Sequence, residues 1–307
     1  MRGPPTERRL LDLLSFGVVN LDKPPGPSAH QVSAWIRDAA AETAAELAAD
    51  QGGRDHDAAA VDRAAHAGTL DPKVTGCLPV MLGDATRLAP VFLKGTKEYV
   101  SVLELHGPPP TDLESTLAEF EGEIYQKPPR KSAVARRLRT RTIHDLSLLD
   151  LRDRQALLRI RCESGTYVRK LCHDLGLALG TGAHMGDLRR IATDPFDDRD
   201  LVTMQEFVDA LAFAREGDGS WLRDVVRPAE RALTHLPHLT VAESAATQIA
   251  HGAPVYAPGV LDADDGIAAG DLVACCTPDG AAVCLGRLVG DPDADSGTVV
   301  DLERVLV

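Results

Sequence analysis

His66-Ala-Gly-Thr-Leu-Asp-Pro-Lys-Val-Thr-Gly-Cys-Leu-Pro79 is a glycine-bearing turn that runs directly into an apolar stretch, Leu78 to Leu82. Taken alone, Asp71-Pro72 reads as a helix opening, because Asp is a good N-cap and Pro suits the first helical position. Its surroundings argue otherwise. The pair sits between a Gly-rich approach and a strand, with His66 and Thr69 close by, so the Asp71 carboxylate is presented at a strand entrance. Upstream, Phe16 to Leu21 reads as a short strand ended by the turn-rich Asp22-Lys-Pro-Pro-Gly-Pro27. Ser28 reads as an N-cap, and Val32, Trp35, Ile36, Thr43 and Leu47 recur at helical spacing. Residues 38–62 are Ala-rich, with seven acids and one Arg, and read as a solvated extension or insertion; Gln51-Gly-Gly-Arg54 marks where the helix stops.

Downstream, Asp84–Leu93 reads as a short helix, and Tyr99–Leu105 and Leu157–Cys162 alternate as strands. Thr111 with Glu114 and Thr203 with Glu206 have capping-box spacing, and Thr166–Leu179 reads as a helix. Past Pro237, after a helix signal at Glu243–Ile249, short β-rich runs follow at Val273–Cys276, Ala282–Val289 and Thr298–Leu306. Strands and helices mix without a βαβ repeat, which predicts an α+β class: a mixed-sheet domain plus a small C-terminal β-barrel.

Composition bounds the function. The 307 residues are 44% hydrophobic, which excludes wholesale disorder, and no apolar run approaches the ~20 residues of a membrane helix. Leu10–Val19 is interrupted by Asp12 and lacks a cleavage site, so a secretory signal is not expected. Six scattered cysteines without a C-x-x-C disfavour a disulfide framework or zinc ribbon and fit a reducing cytoplasm. The net charge is −13, with 31 Asp among the acids and only 7 Lys among the bases. That balance excludes a nonspecific nucleic-acid binder and suits a salt-adapted protein. Yet Lys127–Lys170 holds 13 Lys or Arg against 4 Asp or Glu, a local +9 that points to an anionic partner on one face.

The 66–79 stretch closely resembles the catalytic motif of the TruB and dyskerin family of RNA pseudouridine synthases. Other segments resemble that family's motifs in its order. Gly17–Ser28 resembles its first motif, and Lys97-Glu-Tyr-Val100 the strand with its active-site tyrosine. Ile124-Tyr-Gln-Lys-Pro-Pro129 with Ser132-Ala-Val134 resembles the approach to its RNA-clamping loop. Cys162–Lys170 resembles the motif with an active-site tyrosine and arginine, and Gly182–Arg190 the stretch that sets an apolar residue beside the target base. Ala250–Gly259 resembles the opening of a PUA domain. Only 38–62 falls outside the resemblance. The Gly-Thr-Leu-Asp-Pro and Asp-Lys-Pro-Pro-Gly-Pro forms resemble the archaeal and eukaryotic type, the segment after Lys131 is shorter than in the bacterial branch, and the acidic composition with the 38–62 segment suggests a halophilic archaeal version.

The resemblance implies a catalytic domain over 1–235 and an RNA-binding PUA domain over 236–307. It implies Asp71 as the catalytic carboxylate, Arg169 as its partner and Tyr99 as the residue stacking on the target base. Tyr167 and Leu188 would line the pocket, His66 would fill the space of the flipped nucleotide, and Lys23 would support the site. Isomerisation neither oxidises nor hydrolyses, so no cofactor or metal is implied. The implied partners are tRNA or rRNA substrates, a box H/ACA guide RNA and small companion proteins: zinc-bearing or glycine-arginine-type subunits and a kink-turn-binding protein. No membrane is involved. The alternative is a catalytically silent RNA-binding scaffold. A glycoside hydrolase would need two paired carboxylates, and the motifs offer no second one at a persuasive place.

Overall fold

The computed structural model describes residues 2–50, 61–93, 95–128 and 135–307. Two sheets with helices packed against them give a mixed α+β architecture. The larger sheet holds β1 (Gly17–Lys23), β2 (Ala64–His66), β3 (Thr75–Leu82), β4 (Lys97–Leu105) and β5 (Gly122–Gln126). It continues with β6 (Arg139–Arg152), β7 (Gln155–Cys162), β8 (Ala183–Thr193), β9 (Phe196–Asp197) and β10 (Arg227–Pro228). The order is β10-β1-β3-β8-β4-β7-β6-β5, with β2 on β3 and β9 on β8.

One seam in this sheet positions the site. β3 and β8 run parallel and pair only at Thr75↔Arg189 and Gly76↔Arg190, while their other neighbours pair antiparallel. The Asp71 loop enters β3 at this short seam. Gly76 is required there: its φ is +95°, and a Cβ would lie 2.2 Å from the Arg190 carbonyl oxygen. β4 alternates strictly, burying Lys97, Tyr99, Ser101, Leu103 and Leu105 on one face.

The helix Ala29–Asp50 opens with a reciprocal cap. Gln31 donates its backbone N–H to Ser28 Oγ at 3.2 Å, and Ser28 donates its own to Gln31 Oε1 at 2.9 Å. Its Ala-rich second half is more than a solvated extension, since Ala40, Ala44, Leu47 and Ala48 are buried. Small side chains give a weak hydrophobic signal yet allow close packing on the helix Met204–Arg215. Residues 51–60, with the helix stop expected there, lie outside the described residues.

The Thr203–Glu206 capping box forms in full. The Thr111–Glu114 box does not: that helix spans Leu113–Ala118 behind Asp112, so Thr111 is out of register to cap it. Gly83–Leu93 is 3-10 rather than α-helical, with Pro90 inside it removing a donor.

The smaller sheet comprises β11 (His238–Val241), β12 (Val255–Tyr256), β13 (Val260–Ala263), β14 (Leu272–Cys276), β15 (Ala282–Leu288) and β16 (Thr298–Val305). Its order is β12-β16-β15-β14-β11-β13, around a core that includes Leu239, Ile249, Val273, Val283 and Val300. A second cluster joins the two sheets, packing Phe16, Met81, Leu88 and Phe92 with Ala282, Leu285 and Leu306. The N-terminal segment straps this junction. Arg8, its side chain 1% exposed, donates to both Glu230 oxygens at 2.8 and 2.5 Å, and Glu230 also accepts from the Ala282 N–H at 3.0 Å. No helix among the described residues is long and apolar enough to cross a membrane.

Candidate active site

The Asp71 loop is fastened from below. Lys23, at the end of β1, is fully buried and gives its three ammonium protons to the carbonyls of Pro24 (2.9 Å), Pro72 (3.0 Å) and Val74 (2.9 Å). Burial holds its pKa below the usual lysine range. Gly26 donates its N–H to the Pro72 carbonyl at 2.9 Å, and Val74 donates back to the Asp71 carbonyl at 3.0 Å. Among the described residues, Lys23 thus holds three carbonyls and no carboxylate.

Above the loop, Asp71 forms an ion pair with Arg169. Their side chains are 53% and 50% exposed, so the pair stands at the mouth of the site, not buried within it. Arg169 stands in the first turn of the helix Val168–Ala178, which has no side-chain N-cap of its own. Its entry is fixed instead by Gln126 from β5, which accepts from the Tyr167 N–H at 2.9 Å and donates to the Tyr167 carbonyl at 3.3 Å. Gln126 is buried, so it sets where Tyr167 and Arg169 stand. The sequence carried no signal for this glutamine beyond its place in a motif.

Tyr99 is only 9% exposed and lies opposite Ile160 on β7 and Arg190 on β8. Burial pushes its phenol pKa up, while the neighbouring Arg190 pulls it down. Lys97, two residues earlier on the same face, has its pKa lowered to about 8, chiefly by burial and then by Arg190. His66 ends β2, and its ring meets His30 edge-on at 4.8 Å. Burial first, then the charges of His30 and Arg190, lower its pKa to about 4. It is therefore neutral at physiological pH, able to stack but not to act as an imidazolium acid. Leu188 lines a cleft of about 330 Å³ with Pro25, Lys73, Thr75, Val100 and Leu157. Arg189 at that cleft grips Asp22 through two hydrogen bonds of 2.9 and 3.0 Å, which occupies the nearby carboxylate.

The structure thus joins Asp71 to Arg169 directly and Lys23 to their loop, while Tyr99, Tyr167, Leu188 and His66 stand on the elements that frame it. Within the basic stretch, Arg141, Arg152 and Arg159 pair with Glu163, Asp150 and Glu98. Arg137, Arg154 and Arg161 form no ion pair among the described residues, leaving cationic groups for an anionic partner. Ser132-Ala-Val134, expected to lead into an RNA clamp, lies outside the described residues.

Known proteins are similar to this chain along its length. The TruB family pseudouridylate synthase N-terminal domain matches residues 56–112 and 106–168, and the tRNA pseudouridylate synthase B C-terminal domain matches 169–234. A PUA domain matches 237–306 and a DKCLD domain 3–33. A probable tRNA pseudouridine synthase B of Halobacterium salinarum is 63% identical over 100% of this chain and 99% of its own. The crystal structure of a Cbf5-Nop10-Gar1 complex contains a chain 40% identical, with a TM-score of 0.87 over 99% of this chain and 89% of that one. The structure of an H/ACA RNP bound to a substrate RNA containing 2′-deoxyuridine has one 38% identical, at 0.87 over 100% and 90%. Family matches spread along the chain and a relative 63% identical over its whole length place the chain in the TruB/dyskerin family of RNA pseudouridine synthases.

Proposed function

We propose that Asp71 is the carboxylate that acts on the nucleoside as this enzyme converts uridine to pseudouridine in RNA. The reaction breaks the N1–C1′ bond, turns the freed base and bonds C5 to C1′; the C5 proton is lost and N1 gains one. The observation that carries the assignment is the Asp71–Arg169 pair at the mouth of the site. The guanidinium keeps the carboxylate ionised and aimed when RNA covers it and excludes water. Tyr99 stacks on the target base, Leu188 packs on its other side, and Tyr167 lines the pocket. Neutral His66 fills the gap left by the flipped uridine, whose extrusion costs ~a few kcal/mol.

The substrates are rRNA uridines selected by a box H/ACA guide, with the PUA domain gripping the guide and small companion proteins docked on the catalytic domain, in a salt-rich cytoplasm. The support is the similarity to chains found in Nop10, Gar1 and H/ACA RNA assemblies. A second activity on uridine 55 of tRNA is favoured by the function assigned to the Halobacterium salinarum relative. The test uses purified protein with tRNA and, separately, with an rRNA target, each with and without guide and companions. Asp71→Asn abolishes conversion in every arm while RNA binding stays within about threefold. Turnover by that variant removes Asp71 from its role. Guide-independent tRNA conversion with an unresponsive rRNA arm leaves the tRNA enzyme as the reading.

A further inference from the structure

Arg190 has no part in the chemistry above, yet it is among the largest fully buried side chains of the protein, 1% exposed. Among the described residues it meets no carboxylate. Its Nε donates to the Cys77 carbonyl at 2.7 Å and its Nη2 to the Gly68 carbonyl at 3.3 Å. Those carbonyls bracket Asp71, one on the approach to the loop and one just inside β3. Arg190 itself sits at the parallel seam, opposite Gly76 on β3 and opposite Tyr99 on β4. Gly68 has φ +97°, the left-handed conformation with which its carbonyl meets the guanidinium.

We propose that Arg190 is a positioning residue for the reaction, a staple that ties both ends of the Asp71 loop to the strand position facing Tyr99. A rigid planar fork is suited to this. Two donors held in one plane fix the separation of two carbonyls, which a lysine, reaching one of them with a point charge, cannot do. The staple sets the loop against β8, and thereby the Asp71 carboxylate against the Tyr99 ring between which the target uridine must fit. Lys23 fastens the middle of the same loop, at Pro72 and Val74, so the two cations divide the task. Arg190 also lies beside the Tyr99 hydroxyl and draws its pKa down against burial.

The inference rests on Asp71 acting as proposed, so the experiment separates the two. Arg190→Lys and Gly68→Ala are compared with wild type and Asp71→Asn by single-turnover conversion, RNA affinity, and amide hydrogen exchange over residues 67–77. Arg190→Lys keeps the buried charge and frees one carbonyl; Gly68→Ala strains the upstream anchor and leaves Arg190 intact. In both, kcat falls on the order of 100-fold, as expected for a misplacement near 1 Å, while RNA affinity changes by less than about threefold. Exchange protection drops in 67–77 and stays unchanged in β4 and β7. Wild-type kcat in Arg190→Lys, or a loss seen only in KM with the loop amides still protected, overturns the proposal. If Asp71→Asn retains turnover, the Asp71 reading fails, and loop exchange still decides the staple.

Discussion

Removing the charge of Lys97 tests how the ground beneath the site is built. The residue is 3% exposed and, among the described residues, its ammonium donates to one group, the Phe92 carbonyl at 3.0 Å. Burial, then the Arg190 charge, lowers its pKa from 10.5 to about 8. At about 1.4 kcal/mol per unit, the protonated lysine opposes folding by about 3 kcal/mol at pH 7. Below pH 8 it is charged in both states and the whole penalty applies. Between 8 and 10.5 the folded protein sheds a proton that the unfolded chain keeps, so the penalty fades as pH rises. Lys97→Met retains an apolar stem and removes the charge, but it leaves the Phe92 carbonyl unpaired at a cost of ~1–3 kcal/mol. The net gain at pH 7 is therefore small, about 0–2 kcal/mol, and its pH dependence is the sharper sign. Buried Cys77 and Cys162, pushed up to about 12 by burial, destabilise both proteins above pH 9; only the part of the Cys162 shift that the Lys97 charge offsets differs between them. Denaturant unfolding of both proteins in molar salt should show the variant's relative stability falling by roughly 2 kcal/mol from pH 7 to 9.5. A difference that does not move with pH refutes a charged, desolvated Lys97.

Arg169→Lys should lose most turnover with RNA affinity retained, because a point charge does not reproduce a planar partner for Asp71; near-normal single-turnover rates would assign Arg169 to phosphate contact alone. Glu230→Gln strands the Arg8 guanidinium at the sheet junction, and unfolding should register a loss of about 3 kcal/mol. An unchanged melting temperature would mean the strap does not hold the two sheets. With 31 Asp against 7 Lys, the folded state should melt higher in molar salt than at ~0.01 M, where the Debye length is ~30 Å. Equal melting at both would end the salt-adapted reading.

What the sequence displayed, and what it hid, follows from where the apolar signal lay. β1, β3, β4 and β7 each bury a continuous or alternating apolar set, and all four are legible. β6 buries only Ile143 and Leu146 along its length, so it shows little period and becomes a strand because β5 and β7 pair with it. β8 is charged and bulged, and its pairing with β4 shifts register on both sides of Tyr99–Ser101. The site divides in the same way. Asp71 stood out through the length of its motif, whereas Arg169 depended on the resemblance. Gln126 and Arg190 lay inside quoted motifs without standing out. A glutamine at a strand end forms no pattern, and an arginine beside another arginine reads as a solvated cation until register sets it opposite Tyr99.

A chain of net charge −13 also carries positive charge in its interior. Four cations are buried among the described residues: Arg8, Lys23, Lys97 and Arg190. Arg8, at the sheet junction, is neutralised by Glu230. The other three are satisfied by backbone carbonyls instead, those of Pro24, Pro72 and Val74, of Phe92, and of Cys77 and Gly68. A carbonyl satisfies a donor without cancelling its charge, so the field of these cations persists where a carboxylate would have extinguished it. The surface arginines between 127 and 170 are screened within about 3 Å in molar salt, whereas charges set in low-dielectric walls are screened far less. On the proposed function, these wall charges add to the attraction that Arg137, Arg154 and Arg161 on the rim offer an RNA backbone. That arrangement costs stability at Lys97, where burial lowers the pKa to about 8.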